Sequence, residues 1–203
     1  MSGGSHEPLA LADVEILDED WGGRDLGAAV LERVVLRDVD LSEAGTAAAV
    51  FTECRFVGVS FVSSSHRGSA FLRCRFERCR FAEARFEGCK AVGSSSSQGS
   101  YAGLTVSGGD WSFTSFARED LRGSSWDDVR LREADFTDAR AEGVPWRGCD
   151  LSGALWQGAD LRRADLRGSV LTSLDPAGMR LRGARIDEAG AVALARALGL
   201  DVD

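Results

Sequence analysis

The chain of 203 residues has one lysine, Lys90, one tyrosine and only two histidines. It has no apolar run of roughly 18 residues, so a membrane-spanning helix is excluded on length. Met1 to Ala12 lack the basic start and apolar core of a secretory signal, and a cytoplasmic location is expected. No metal-ligand spacing, nucleophile elbow or glycine-rich phosphate loop occurs. His6 stands in a tail-like segment, and His66 falls at an apolar, inward position, where a lone histidine is structural. No enzyme activity, cofactor or metal is therefore expected.

What is present is a period. All five tryptophans, the tyrosine and nine of ten phenylalanines have residue numbers leaving remainder one on division by five; Phe113 is the exception. Helices return to one face at 3.6 residues and strands at 2, so neither explains it. From Leu11 to Ile186 the frame gives 36 centres, 32 of them apolar, the others being Thr46, His66, Ser96 and Pro176. Two residues before each centre the chain is small in 29 of 36 cases. One large and one small inward residue per pentad, with three outward residues between, describes one side of a narrow coil. A chain-long repeat of this kind is a solenoid, each unit burying its apolar side against its neighbours.

Charges recur every twenty residues. Asp120, Arg140, Asp160 and Arg180 alternate in sign, as do Asp110, Arg130 and Asp150, and Arg33, Glu53 and Arg73. Opposite charges on neighbouring strands attract, so four pentads to a coil is the expected geometry. About nine coils stacked at roughly 4.8 Å make an all-β rod on the order of 40 Å long.

All five cysteines, Cys54, Cys74, Cys79, Cys89 and Cys149, occupy the small inward slot, where cysteine acts as a compact hydrophobe. The serine-rich stretch from Gly93 to Gly103 keeps the frame and forms a thinly filled coil, the expected weak point of the rod. Seven small slots carry unsuitable residues: Leu9, Glu19, Arg24, Leu104, Glu119, Leu174 and Met179. Glu19 and Arg24 mark an irregular first coil. Glu119 either turns outward or accepts backbone hydrogen bonds at a local kink, or it is a functional carboxyl, for which no catalytic partner is evident. After Ile186 the period becomes helical: Asp187 suits a cap, Glu188 a first turn and Gly199 a stop.

The runs Cys149-Asp-Leu-Ser-Gly, Ala159-Asp-Leu-Arg-Arg and Ala164-Asp-Leu-Arg-Gly resemble the A(D/N)LXX motif of the pentapeptide-repeat family. The resemblance implies a right-handed quadrilateral β-helix with a short C-terminal α-helix. Phe51-Thr-Glu-Cys-Arg-Phe, His66-Arg-Gly-Ser-Ala-Phe and Cys74-Arg-Phe-Glu-Arg are similar to segments of the MfpA/Qnr fluoroquinolone-resistance group of that family. So are Arg182-Gly-Ala-Arg-Ile-Asp, Ala191-Val-Ala-Leu-Ala and Leu198-Gly-Leu. This group implies a homodimer joined through the C-terminal helix, binding DNA gyrase by imitating duplex DNA and modulating quinolone action. The expected organisation is an acidic N-terminal extension or irregular first coil at 1–24, the repeat at 25–186, and a capping or dimerising helix and tail at 187–203. Ala191, Leu194, Ala195 and Leu198 form the helix's apolar face.

The net charge is −8. Residues 1–50 contribute −8, 51–90 +4, 91–145 −4 and 146–203 zero, and no side of the coil is an acidic stripe. Duplex DNA carries one charge per about 1.7 Å, whereas a dimeric rod of this chain averages nearer one per roughly 5 Å. The candidate gyrase-facing acids are local groups: Asp18 with Asp38, Asp20 with Asp40, Asp127 with Asp128, and Asp135 with Asp138. A basic zone comprises Arg55, Arg73, Arg75, Arg78, Arg80 and Arg85; it lacks exposed aromatics for base stacking, and direct nucleic-acid binding is not expected. The alternative reading is a non-catalytic structural or protein-interaction rod with no gyrase role.

Overall fold

Residues twenty apart lie side by side, because four pentads close one square turn. In the computed structural model, which describes residues 8–173, 175–176 and 178–202, the chain is a right-handed quadrilateral β-helix ending in a helix, Glu188–Ala197. His6 and Leu174 lie outside the described residues. One side carries four parallel strands, from Ala10–Ala12 to Ala70–Leu72. The next carries five, from Glu15–Leu17 to Ser95–Ser97. A third carries six, from Gly45–Ala47 to Trp146–Arg147. The remaining side is built of turns, paired by single bridges such as Asp20 to Asp40 and Asp160 to Arg180. The strand-bearing length is about seven turns, slightly fewer than the nine that the centres count, because single bridges alone carry the ladder on from there to Arg185.

The period-five aromatics stack along the axis. Phe51 lies over Phe71 at 4.7 Å, Phe56 over Phe76 at 4.8 Å, Trp126 over Trp146 at 5.2 Å and Phe136 over Trp156 at 4.2 Å. These offset stacks add to the area each ring buries. The five cysteines are free and buried, filling the small slots as expected. In the thin coil, Ala91, Ser94, Ser96, Trp111 and Phe116 border a cavity of about 30 Å³. Leu104, oversized for its slot, is 3 % exposed there and occupies space that the small centres Ala91 and Ser96 leave. Glu19 and Arg24 keep the regular backbone ladder, their carbonyls accepting from Asp40 and Gly45, while their side chains face solvent.

Two backbone forms of the pentad coexist. In the turn form, the small-slot amide donates to the centre carbonyl three residues earlier, as Ala84 does to Phe81 and Ala139 to Phe136. In the strand form no such local bond forms at Cys74, Gly99 or Cys149, and each side changes form at a different height. At each change from strand to turn the next coil places a polar side chain in the small slot. Ser94 Oγ accepts from Cys74 N at 2.8 Å and donates to Phe71 O at 2.7 Å. Ser169 Oγ accepts from Cys149 N at 3.0 Å and donates to Trp146 O at 2.5 Å. On the five-stranded side the cap is Glu119, whose carboxylate accepts from Gln98 N at 2.6 Å, Gly99 N at 2.8 Å and the Tyr101 hydroxyl at 2.7 Å. Buried amides must find acceptors, and these three side chains supply them where the ladder changes form. Glu119 thus accepts from the backbone and, at 5 % exposure, does not turn outward.

Candidate functional site

The residue immediately before each centre lies on the outer side of the coil beside a turn, from fully exposed at Asp20 to buried at Asp160 and Asp165. When it is aspartate, its carboxylate accepts from the amide two residues on: Asp20 from Gly22 at 2.9 Å, Asp40 from Ser42 at 2.8 Å, Asp135 from Thr137 at 2.9 Å. Asp120, Asp160 and Asp165 do the same and also grip the arginine at that position, with Oδ2 to Arg122, Arg162 and Arg167 at 2.7–2.8 Å. This is the physical content of the Asp-Leu-Arg runs: the aspartate caps the turn. The Arg162 guanidinium holds the Asp160 carboxyl down at about 2, and Arg167 holds Asp165 lower still. Asp40 is lowered by its bonds to Ser42.

The structure thereby divides the eight candidate acids. Asp20 and Asp40 are turn caps with one oxygen engaged, and Asp135 is a half-buried cap whose second oxygen accepts from the Ser115 hydroxyl at 3.4 Å. Asp18, Asp38, Asp127, Asp128 and Asp138 are exposed and form no ion pair among the described residues. Asp18 and Asp38 lie near the N-terminal end; Asp127, Asp128 and Asp138 belong to a belt at mid-length.

The twenty-residue charge ladders are in register, and four of their seven rungs are closed, the longest being Arg180 to Asp160 at 3.9 Å. Arg130 meets Asp110 at 3.0 Å, Arg73 meets Glu53 at 3.0 Å and Arg140 meets Asp120 at 3.3 Å. Asp150 turns instead to Arg132, and Arg33 to Asp13. Pairs this exposed contribute about 0–1 kcal/mol each. In the basic zone, Arg55 and Arg73 are paired with Glu77 and Glu53, while Arg75, Arg78, Arg80 and Arg85 form no ion pair among the described residues.

The groups capable of chemistry are sealed inside. His66 is 2 % exposed, held by Thr46 Oγ1 at 2.8 Å and Ser64 Oγ at 3.0 Å, and burial pushes it down to about 3, so it is neutral. Burial raises the Cys79 and Cys149 thiols to about 12, far from the reactive thiolate. Burial and then the Glu119 charge raise Tyr101 above its ordinary range. Among the described residues no three His, Cys, Asp or Glu side chains gather to hold a metal, and no helix is long and apolar enough to cross a membrane.

At the C-terminal end, Asp187 caps the helix, its Oδ1 accepting from Gly190 N at 2.9 Å and its Oδ2 from Gly168 N at 2.7 Å. Gly190 is the helix's buried residue; a Cβ there would lie 3.4 Å from Leu171, so glycine lets the helix sit close on the last coil. Ala193 and Leu194 pack on the core, Ala195 is half-buried, and Ala191 and Leu198 face outward. Gly199 at φ +82 ends the helix with Gly199 N to Arg196 O and Leu200 N to Ala195 O, a Schellman stop. Leu198 and Leu200 are 67 % and 58 % exposed beside an open groove of about 970 Å³ lined by Thr172, Val192 and Ala197.

One feature of the surface went unread in the sequence. The residue two after each centre turns the corner with positive φ, and this holds for nineteen non-glycine residues from Asp13 to Ser173. Glycines recur in that phase, at Gly58, Gly68, Gly88 and Gly93 among others, which was the available signal.

A square coil of pentads with a buried aromatic axis and a turn-capping aspartate defines a pentapeptide-repeat β-solenoid. The family model of pentapeptide repeats matches residues 147–175. Among solved structures the chain is similar to a trypsin-treated variant of QnrB1, described as a plasmid-mediated fluoroquinolone resistance protein. Identity is 21 %, covering 96 % of this chain and 98 % of that one, with a TM-score of 0.78. Full-length QnrB1 is 18 % identical over 94 % of this chain and 100 % of that one, with a TM-score of 0.65. A second trypsin-treated variant is 22 % identical, covering 98 % and 100 %, with a TM-score of 0.57. No curated protein matches the sequence. At these identities the likeness is one of fold.

Proposed function

We propose that this chain is a non-catalytic, DNA-mimicking rod that binds DNA gyrase in the cytoplasm and modulates it, or protects it, against fluoroquinolone-type inhibitors. The observation that carries the reading is the end-to-end fold match to a fluoroquinolone-resistance protein, covering 96 % of this chain and 98 % of that one. The surface agrees with it. Buried chemistry leaves the outward positions as the working surface, and the mid-length acids Asp127, Asp128 and Asp138 project without ion pairs, available to a DNA-binding partner. We take residues 25–186 as the rod and 187–203 as a cap that joins two copies; Leu198 and Leu200 give that end exposed apolar surface. Residues 1–24 add further acid to the outer end.

The test is gyrase supercoiling and ciprofloxacin-induced DNA cleavage with purified protein added. A dose-dependent change in either supports the reading. No change in both at tens of micromolar overturns it in favour of an interaction rod without a gyrase role. Leu198→Asp with Leu200→Asp converts a dimer to monomers in sizing chromatography; an unchanged elution volume assigns the helix to capping alone.

A further inference from the structure

The one aromatic outside the repeat is also the one that works against the fold. Phe113 sits at a corner, two residues after the centre Trp111, with φ +59 and 55 % of its surface exposed. Corners demand the left-handed conformation, which suits glycine, asparagine and aspartate and is unfavourable for a bulky side chain. The other non-glycine corner residues are charged or polar, with Ala48 the one further exception. Phe113 meets no other ring among the described residues, while every in-phase aromatic from Phe51 to Trp156 has at least one ring neighbour. Its corner neighbours one coil away are Gly93 and Glu133, so no side chain covers the ring on the Gly93 side. A half-exposed ring outside the stacked aromatic column, on a backbone conformation unfavourable to it, points to use by another molecule.

The surroundings specify what kind. In the belt from 111 to 138, Asp127, Asp128, Glu133, Asp135 and Asp138 form no ion pair among the described residues. The belt's arginines are tied down, Arg122 to Asp120, Arg130 to Asp110 and Arg132 to Asp150, leaving Arg118 alone against those five acids. We propose that Phe113 is an aromatic anchor that inserts into an apolar slot on a cationic, DNA-binding protein surface, with the neighbouring acids meeting the cations that flank the slot. This rests on the gyrase reading for the identity of the partner and adds a contact that imitation of phosphates alone does not supply.

The test measures affinity for purified gyrase at low and high salt, using Phe113→Asn, which accepts the left-handed corner, and Phe113→Tyr, which keeps the ring. Phe113→Asn is expected to weaken binding by about tenfold or more at both salt concentrations, as loss of an aromatic hot spot does. Phe113→Tyr stays within about threefold, and the Tm of Phe113→Asn is unchanged or higher by roughly 2–4 °C, since strain is relieved. Wild-type affinity for Phe113→Asn overturns the anchor and leaves the gyrase reading standing. A lowered Tm, or a shift from dimer to monomer in sizing chromatography, reassigns the ring to packing or to self-association and also overturns it. Absence of wild-type binding to gyrase overturns both.

Discussion

The two halves of the rod follow one five-residue rule with two backbones. From Ala10 to Ser97 strands line two sides, one of them only as far as Leu72, and a third from Gly45, and from Phe51 to Phe86 the core is mostly stacked phenylalanines. Beyond Ser97 only one side keeps strands, up to Arg147, and tryptophans replace many of the phenylalanines. Both forms bury the same two positions of each pentad. What differs is where the small-slot amide goes: to its own turn in one form and, where the strand form ends, to a side chain of the following coil. Ser94, Glu119 and Ser169 mark the three changes from strand to turn, and the fold depends on their polar side chains there.

Breaking a changeover is therefore the strongest test of the comparison. Glu119→Ala leaves the Gln98 and Gly99 amides without their acceptor, the Tyr101 hydroxyl keeping Ser96 Oγ at 2.6 Å, and is expected to cost about 3 kcal/mol, at about 1–3 kcal/mol for each orphaned buried donor. Chemical denaturation measures it; a loss no larger than that of an ordinary surface substitution refutes the capping role. Ser94→Ala and Ser169→Ala each remove one acceptor and one donor, and about 2 kcal/mol apiece is expected from the same measurement. Thr114→Val, in a small slot of the turn form and with a hydroxyl that makes a single hydrogen bond among the described residues, to Trp111 O, is the comparison and should cost less.

The smallest effect concerns acid. His66 is neutral in the fold, held down at about 3, and takes up a proton when unfolded near 6.5. The unfolded chain binds more protons between those values, so its contribution is complete above about 6.5 and is lost as pH falls toward 3. Between pH 7.5 and 5.5 the loss is about 1.4 kcal/mol. Unfolding midpoints at the two pH values should converge in His66→Gln; equal pH dependence in both proteins would show that another group is responsible.

The interior was legible because period five places one large and one small residue inward in every pentad, from Leu11 to Ile186. The cysteines, His66, the thin coil around Ser96 and the capped helix after Asp187 all followed from that phase. The change of backbone form was not legible, since both forms bury the same two positions. Only the polarity of Glu119 hinted at it, and Ser94 and Ser169 pass as ordinary small residues. The acids were the least readable: sequence gives their columns, but whether an aspartate caps a turn, like Asp40, or stands free, like Asp138, depends on local hydrogen bonds. Phe113 was visible as the break in phase, and its meaning required the corner's positive φ.

The most direct measurement is displacement of a labelled DNA duplex from gyrase by the purified protein. The account predicts that wild type competes with the duplex, and that Asp127→Asn with Asp128→Asn and Asp138→Asn competes more weakly, the difference shrinking as salt is raised. A duplex that stays bound at tens of micromolar protein, in low salt, would contradict it.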